Sequence, residues 1–145
     1  MGEFDLIARH FARPAQSDSV EVGIGDDAAV LRPTPSASLV VSTDTLVEGR
    51  HFRSGVDPEA LGWKAAMVNL SDIAAMGGFP RWLTLALTLP EADDHWVAGF
   101  AAGFRAAATS CQAELVACAL SRCPLPTVVP PLRDCLPPPP TLRPP

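Results

Sequence analysis

Val41–His51 reads VSTDTLVEGRH, a short β-branched run that ends in a Ser-Thr-Asp-Thr cluster and is followed by a glycine and a histidine. Two further acidic stretches lie on either side of it along the chain, GIGDD upstream and NLSDIAAMG downstream. The three segments carry Asp27, Asp44 and Asp72. Carboxylates converge in one place only where a cation offsets their repulsion. The pattern therefore predicts a magnesium site.

Two predicted strands place the first two of these aspartates. Leu39–Ser42 is typical of a strand, so Asp44 lies just past a strand end, where side chains leave a sheet and can line a crevice. In GIGDDAAVL the glycines free the backbone for tight turns, and the apolar end suits a short buried strand that begins after Asp27. If the two strands are antiparallel neighbours, Asp27 and Asp44 reach the same edge of the sheet.

A helix is predicted to carry the third aspartate. Asp57 is a good capping residue, Pro58 fits the first helical position, and helical apolar spacing then runs toward Met76, where a glycine pair follows. On this helix Lys64 and Asp72 share one row of side chains. Taken alone, Asp72 would be interpreted as a solvated helix residue, so its role depends on the other two clusters.

The remaining patterns indicate an α/β protein of the α+β type. Apolar side chains at helical spacing predict a core-facing helix over residues 3–13 and a second one after residue 94, in which Gly99 and Gly103 allow close packing. The stretch RWLTLALTLP alternates, with its leucines on one strongly apolar face. We expect a mixed, mainly antiparallel sheet packed by three helices, near residues 3–13, 58–76 and 94–110. The core-facing residues of the first helix are Phe4, Ile7, Ala8 and Phe11.

Composition changes abruptly after Val116. Ten of the 16 prolines and three of the four cysteines follow this residue. We therefore divide the chain into a domain over 1–116 and a Pro/Cys-rich tail over 117–145. We expect the tail to be extended or disordered, because proline is excluded from helix interiors and central strands. A proline-rich tail is otherwise typical of a linker or a ligand for proline-binding domains.

The charge pattern bears on the partners of the chain. The first 116 residues have a net charge of −7, which excludes nucleic-acid binding through the overall field. This charge suits a protein that recruits divalent cations, although an acidic surface is equally ordinary for a soluble protein. The acidic start MGEFDLIARHF is not typical of a signal peptide, and no apolar run reaches the ~18 residues of a membrane span. We expect a cytoplasmic protein whose cysteines are free thiols.

Four motifs in order resemble the N-terminal domain of the thiamine-monophosphate kinase family, in the aminoimidazole ribonucleotide synthetase-like (PurM-like) superfamily. They are GIGDDAAVL, VVSTDTLVEGRHF, the PEALGWKA and VNLSDIAAMGG run, and PRWLTLALTLP, and the resemblance covers residues 2–116. It implies transfer of the γ-phosphate of ATP onto thiamine monophosphate, giving thiamine diphosphate, with Mg²⁺ as cofactor and a homodimer as the assembly. The acceptor phosphate is already anionic at neutral pH, so no protein nucleophile or base is expected.

The resemblance also implies site residues. The family's magnesium ligands match Asp27, Ser42, Thr43, Asp44 and Asp72, and the residue that contacts the thiamine phosphate matches His51. Asp26, Asn69 and Lys64 belong to the same motifs, with supporting or phosphate-facing roles. The family does not use a Walker A loop, and the sequence has none.

The chain departs from the family after Val116. The resemblance implies that the family continues with Gly-Gly-Asp-Thr-Thr-Arg-Gly-Pro, which supplies another metal-binding aspartate and contacts to ATP, whereas this chain has Ala117-Cys118-Ala119. We therefore expect the second domain of the family to be missing. We hypothesise a frameshifted or truncated kinase gene product, which translation of the other reading frames past codon 116 would test.

Two alternatives to a kinase remain. One is a non-catalytic metal-binding, nucleotide-binding or dimerisation module, which could pair through the apolar Leu83–Leu89 face. The other is a relative such as selenophosphate synthetase or the hydrogenase maturation dehydratase.

Overall fold

The computed structural model describes residues 2–91, 93–122, 127–129 and 131–136. The helices are α1 (Glu3–Leu6), which continues as a π-helical turn over Ile7–Phe11, α2 (Pro58–Ala75) and α3 (Asp94–Ser110). The strands are β1 (Val20–Val22), β2 (Val30–Leu31), β3 (Ser38–Thr43), β4 (Leu46–Val47), β5 (Phe79–Leu89), β6 (Glu114–Arg122), β7 (Thr127–Val129) and β8 (Pro131–Leu136). The three helices lie where the apolar spacing predicts them.

Strand β5 is the centre of the main sheet. It pairs in parallel with β6 and antiparallel with β7 and β8, while β3 pairs antiparallel with β8 and β4 antiparallel with β7. Within the part of the chain that the structure describes, the sheet has six strands, and only the β5–β6 pairing is parallel. The predicted mixed, mainly antiparallel sheet is therefore confirmed.

Strands β1 and β2 form a separate two-stranded antiparallel sheet. A small apolar cluster of Val20, Trp82 and Val116 joins this sheet to β5 and β6, and the Trp82 indole donates a hydrogen bond of 3.1 Å to the Ser19 hydroxyl. Strand β2 is therefore paired with β1 and not with β3. The two strands are not the antiparallel neighbours that would place Asp27 and Asp44 at one edge of the sheet. No local sequence pattern indicates the contact of Trp82 with this small sheet.

The apolar face of β5 lies in the core. Leu83, Leu85, Leu87 and Leu89 are all at most 4% exposed and pack in one cluster with side chains of α2 and α3. The suggestion that the Leu83–Leu89 face serves as a free dimerisation surface is therefore wrong. Two helices cover it, so the face stabilises the domain itself.

Helices α2 and α3 approach each other through glycines. A Cβ atom added to Gly62 would lie 2.0 Å from the Phe100 carbonyl oxygen, and one added to Gly103 would lie 1.8 Å from the Glu59 carbonyl oxygen. Neither distance is possible for a real side chain, so the two backbones are in direct contact. The close packing predicted for Gly103 is confirmed. Gly62 performs the same role on the opposite helix.

The N-terminal segment packs differently from its predicted register. Leu6, Ile7 and Phe11 are buried, whereas Phe4 and Ala8, also predicted to face the core, are exposed. The chain passes from an α-helix to a π-helical turn at Ile7, which shifts the side chains after it relative to those before it. No helix among the described residues is both long enough and apolar enough to cross a membrane.

Regular structure continues past the change in composition at Val116. Strand β6 extends to Arg122, and β7 and β8 lie further along the segment predicted to be extended or disordered. The backbone groups of these strands find partners on β3, β4 and β5, which an isolated extended segment would lack. Pro131 is the first residue of β8, a position where proline is tolerated. Residues 123–126, 130 and 137–145 of the predicted tail lie outside the described residues.

Candidate functional site

Helix α2 brings Asn69 and Asp72 to the end of β3. The Asp57 carboxylate accepts a hydrogen bond of 2.9 Å from the amide of Ala60, and Pro58 occupies the first turn, so the helix begins where the sequence predicts. At its other end, the Ser42 hydroxyl donates a hydrogen bond of 3.2 Å to Oδ2 of Asp72. Two of the predicted metal ligands are thus in direct contact, although they are 30 residues apart.

Asn69 connects the same helix to Asp44. Its Oδ1 accepts a hydrogen bond of 3.0 Å from the Asp44 amide, and its Nδ2 donates one of 3.2 Å to the Ala65 carbonyl oxygen. Asn69 is completely buried. A buried amide that is bonded at both ends is costly to replace, so Asn69 holds the residue after β3 in a defined position. The sequence assigned it only a supporting role.

The Asp44 carboxylate shapes its own turn. Its Oδ1 accepts a hydrogen bond of 2.7 Å from the Thr45 amide, so one carboxylate oxygen is bound locally. Thr43, the last residue of β3, is exposed and pairs across the sheet with Pro131. Asp44 is partly buried and Asp72 is exposed. We name the group Ser42, Asp44, Asn69 and Asp72 the β3–α2 cluster.

Asp27 lies in the turn before β2 and takes no part in the hydrogen bonds that join the β3–α2 cluster. Its amide donates a hydrogen bond of 2.9 Å to the carboxylate of Asp26, in the glycine-rich turn before β2. Both aspartates line a cavity of about 790 Å³ that is mostly apolar, with walls from the N-terminal helix, β5 and β6. The pairing of β2 with β1 places this turn there.

The residues that depart from the family pattern line the same cavity as Asp27. Ala117, Cys118 and Ala119 of β6 form part of its wall. Burial raises the pKa of the Cys118 thiol to about 12, and the negative charge of Glu3 adds to this effect. The thiol is therefore protonated at neutral pH. These three side chains offer neither charge nor a strong oxygen donor at the position where the resemblance implies Gly-Gly-Asp.

The three aspartates do not form one metal-binding group within this chain. Among the residues that the structure describes, no three His, Cys, Asp or Glu side chains are arranged to hold a metal ion. The β3–α2 cluster nevertheless has the donor chemistry that suits Mg²⁺, namely two carboxylates and a hydroxyl. Mg²⁺ in proteins is usually bound by one or two carboxylates, with waters and substrate phosphates completing the shell. The residues present therefore fit this ion as a partial site.

His51 lies in a turn between β4 and α2. Its Nδ1 accepts a hydrogen bond of 3.0 Å from the Val47 amide, and its carbonyl oxygen accepts one of 2.6 Å from Nζ of Lys64. His51 and Lys64 are both exposed. Lys64, predicted to have a supporting or phosphate-facing role, thus contacts the backbone of the His51 turn. No periodicity could have indicated this contact, since it joins a helix to an irregular loop.

The model of the family described as AIR synthase related protein, N-terminal domain, matches residues 25–131. Among curated relatives, the thiamine-monophosphate kinase of Salmonella typhimurium is 57% identical over 100 residues. The alignment covers 68% of this chain and 31% of the relative, so the chain spans about a third of the length of the relatives that it matches.

Solved structures give a consistent picture. The crystal structure of thiamine-monophosphate kinase from Stenotrophomonas maltophilia K279a superposes with a TM-score of 0.82 at 43% identity, over 94% of this chain and 43% of that chain. A structure of AaThiL complexed with AMPPCP and TMP superposes with a TM-score of 0.68 at 36% identity, over 70% of this chain and 33% of that chain. Both likenesses place the described strands and helices in a known arrangement.

Proposed function

The chain belongs to the family of AIR synthase related protein N-terminal domains, and from this premise we propose that it serves ATP-dependent phosphorylation of thiamine monophosphate to thiamine diphosphate. The proposal is supported by similar relatives, which are thiamine-monophosphate kinases. A related structure was solved with AMPPCP and TMP. Because the chain spans about a third of these relatives, the activity of the whole kinase is proposed and not established for it.

The reaction requires charge neutralisation more than proton transfer. The acceptor is a phosphate monoester, which carries close to two negative charges at neutral pH because its second pKa is about 6. The donor is a polyphosphate, so two anions must come together. Catalysis in such a case consists mainly of positioning and electrostatic stabilisation. A site that offers carboxylates and a hydroxyl, with no nucleophile, agrees with this requirement.

The observation that carries the proposal is the β3–α2 cluster. Asp44 and Asp72 come from separate segments, and Asn69 and Ser42 connect them through hydrogen bonds of 3.0 and 3.2 Å. In the proposal, Asp44 and Asp72 hold Mg²⁺, with Ser42 and Thr43 as further oxygen donors, and Asp27 is a ligand of a separate metal ion at the cavity that it lines. When bound, Mg²⁺ supplies positive charge to the phosphates. Asn69 keeps Asp44 in place, and His51 contacts the phosphate of the acceptor.

A homodimer is part of the proposal. Leu39 and Val41 on β3 are 48% and 56% exposed, and β3 is an edge strand of the main sheet in the described chain. Exposed apolar side chains on an unpaired edge favour association with another sheet. A second copy of this chain is the proposed partner. The cytoplasmic location and the absence of nucleic-acid and membrane partners remain predictions, which cell fractionation and binding assays would test.

A second function is favoured by one specific observation. Ala117, Cys118 and Ala119 line the cavity with Asp27, where the family pattern has Gly-Gly-Asp. A cavity wall without that aspartate lacks one oxygen donor for a metal-bound nucleotide. The alternative is therefore a module that binds metal or nucleotide, or dimerises, without turnover.

A coupled assay with ATP, Mg²⁺ and thiamine monophosphate separates the two functions. If the chain is a kinase, Asp44→Asn should lower turnover on the order of 100-fold, because it removes a charge that acts at the reacting phosphates. Asp18→Asn, at an exposed position outside the cluster, is the matched control. Metal-dependent binding of AMPPCP without turnover would favour the module. Turnover that is insensitive to Asp44→Asn would contradict the proposed site.

A gain-of-function variant tests the role of the cavity wall. Replacing Ala117, Cys118 and Ala119 by Gly, Gly and Asp restores the family pattern beside Asp27. If the wild-type chain binds AMPPCP weakly or not at all, this variant should bind it more tightly in the presence of Mg²⁺. Calorimetric titration of both chains measures the difference. Equal affinity in the two chains would show that this wall does not contact the nucleotide.

A further inference from the structure

The turn that carries His51 uses the imidazole ring as a hydrogen-bond acceptor. The Val47 amide donates to Nδ1 of His51 at 3.0 Å, and the His51 amide donates to the Val47 carbonyl oxygen at 2.9 Å. Both backbone groups of Val47 are therefore bound to the same residue. Gly49, with φ +78°, makes this tight turn possible, and its amide donates to the Phe52 carbonyl oxygen at 2.8 Å.

This geometry determines which ring nitrogen holds the proton. A ring nitrogen that accepts an N–H hydrogen bond has no proton of its own, so the proton of a neutral imidazole must be on Nε2. A proton on Nδ1 would break the bond from Val47. The exposed ring of His51 is thus presented as a neutral N–H donor and not as a base at Nδ1.

Lys64 fixes the turn from the outside. Its ammonium group donates a hydrogen bond of 2.6 Å to the carbonyl oxygen of His51, across 13 residues. Lys64 lies on α2, which is held against the core by Leu61 and Ala65, so the contact ties an irregular loop to a rigid element. A hydrogen bond from a charged donor is stronger than one between neutral groups.

We infer that Lys64 is a positioning residue, which holds the His51 ring with an unprotonated Nδ1 and an Nε2–H group that has no acceptor among the described residues and can donate to an anionic oxygen. The identity of the ligand for that donor, a phosphate ester, rests on the proposed function. The tautomer of His51 and its dependence on Lys64 are independent of the proposed function. Lys64 thus acts through His51, and His51 acts as a neutral hydrogen-bond donor.

Two-dimensional NMR of ¹⁵N-labelled histidine rings in the full chain tests the tautomer. The His51 signals are assigned by comparison with a His51→Gln variant, and exposed His95 serves as an internal reference. The expected result is a single neutral tautomer at His51, with the proton on Nε2. A proton on Nδ1, or an even mixture of the two tautomers, would overturn the inference.

Variants at Lys64 test the positioning role. Lys64→Met removes the donor and should convert His51 to a mixture of tautomers, whereas Lys64→Arg keeps a donor and should retain the wild-type signals. Arg50→Met removes a positive charge from the same turn and is the matched control. If Lys64→Met leaves the His51 tautomer unchanged, Lys64 does not position the ring. If Lys64→Met fails to fold, Lys64→Ala gives the same comparison, because it also removes the ammonium donor.

Titration with thiamine monophosphate, and separately with inorganic phosphate, distinguishes this inference from the proposed function. Binding at the donor should shift the Nε2–H signal of His51 and leave the tautomer unchanged. A correct tautomer with no shift at saturating thiamine monophosphate would contradict the substrate role of His51, and the positioning role of Lys64 would still stand.

Discussion

The side-chain oxygen of Asn69 accepts a hydrogen bond of 3.0 Å from the backbone amide of Asp44, 25 residues earlier in the chain. The same side chain donates to the Ala65 carbonyl oxygen at 3.2 Å, and no part of it is exposed. A single buried amide thus joins the middle of α2 to the residue that follows β3. The position of the Asp44 carboxylate depends on this contact.

Replacement of Asn69 by leucine should destabilise the fold by about 1–3 kcal/mol, because the amide of Asp44 loses its partner in a partly buried position. Ser71→Ala is the matched control, since the Ser71 hydroxyl also donates to a carbonyl oxygen of α2 but is exposed. Urea unfolding of the three chains measures the difference. Equal effects of the two substitutions would contradict the role assigned to Asn69.

The same substitution should also weaken Mg²⁺ binding if Asp44 is a ligand. Residues that orient metal ligands typically change affinity by about 10–100-fold. Calorimetric titration with Mg²⁺ under conditions where the variant remains folded measures this effect. Unchanged affinity in folded Asn69→Leu, together with a loss in Asp44→Asn, would show that Asp44 needs no support from α2.

Gly103→Ala and Gly62→Ala should each lower the free energy of unfolding by about 1–3 kcal/mol or more, because an added Cβ collides with a backbone carbonyl oxygen of the facing helix. Gly99→Ala is a graded control. Its Cβ would lie 2.9 Å from Cγ of Pro58, a side-chain atom, and alanine gains about 1 kcal/mol of helix propensity over glycine. Thermal unfolding should therefore rank Gly99→Ala as the mildest of the three. Equal melting temperatures would contradict the direct contact of the two backbones.

The ion pair between the N-terminal segment and α3 predicts acid sensitivity. The hydrogen bond of 2.7 Å from the His10 ring holds the pKa of Asp94 below its ordinary value, and the positive charge of Arg9 contributes. Because the folded-state pKa is lowered, ionised Asp94 stabilises the fold above the unfolded-state pKa, and this stabilisation is lost as the pH falls below about 4. Asp94→Asn should lower the urea midpoint near pH 6. The difference in midpoint between this variant and the wild-type chain should decrease toward pH 3. A difference that stays constant across this range would contradict the linkage.

The Cys118 thiol should react slowly with alkylating reagents. Its pKa of about 12 leaves about a thousandfold less thiolate at neutral pH than an ordinary thiol has. Iodoacetamide labelling at pH 7, followed by peptide mass spectrometry, measures the rate at this residue. The same residue in the urea-unfolded chain is the control and should react far faster. Equal rates in the folded and unfolded chains would show that the thiol is not protected by burial.

Local patterns predicted much of the architecture. Asp57 and Pro58 mark the start of α2, the alternating leucines identify β5, and the helices lie near the expected residues. The sequence also indicated Asp44 as the residue after a strand end. These features depend on residues within one turn or one strand of each other, where backbone preference and side-chain spacing act directly.

Contacts between distant segments could only be read from the tertiary structure. Strand β2 pairs with β1 and not with β3, and Asp27, in the turn before β2, lines a cavity with β6. The Lys64 ammonium binds the carbonyl oxygen of His51, a partner that no sequence spacing specifies.

Local patterns in the sequence thus indicated the three helices, strands β2, β3 and β5, and the motifs that relate the chain to its family, but not strands β1, β4, β7 or β8. The tertiary structure alone decided which edges pair, which face of β5 is covered, and which donor each buried acceptor finds. The physical reason is that the hydrophobic effect is non-directional and tolerates several arrangements of the same elements. The choice among them is made by hydrogen-bond partners and close packing, such as those of Asn69 and Gly103, that exist only once the chain has folded.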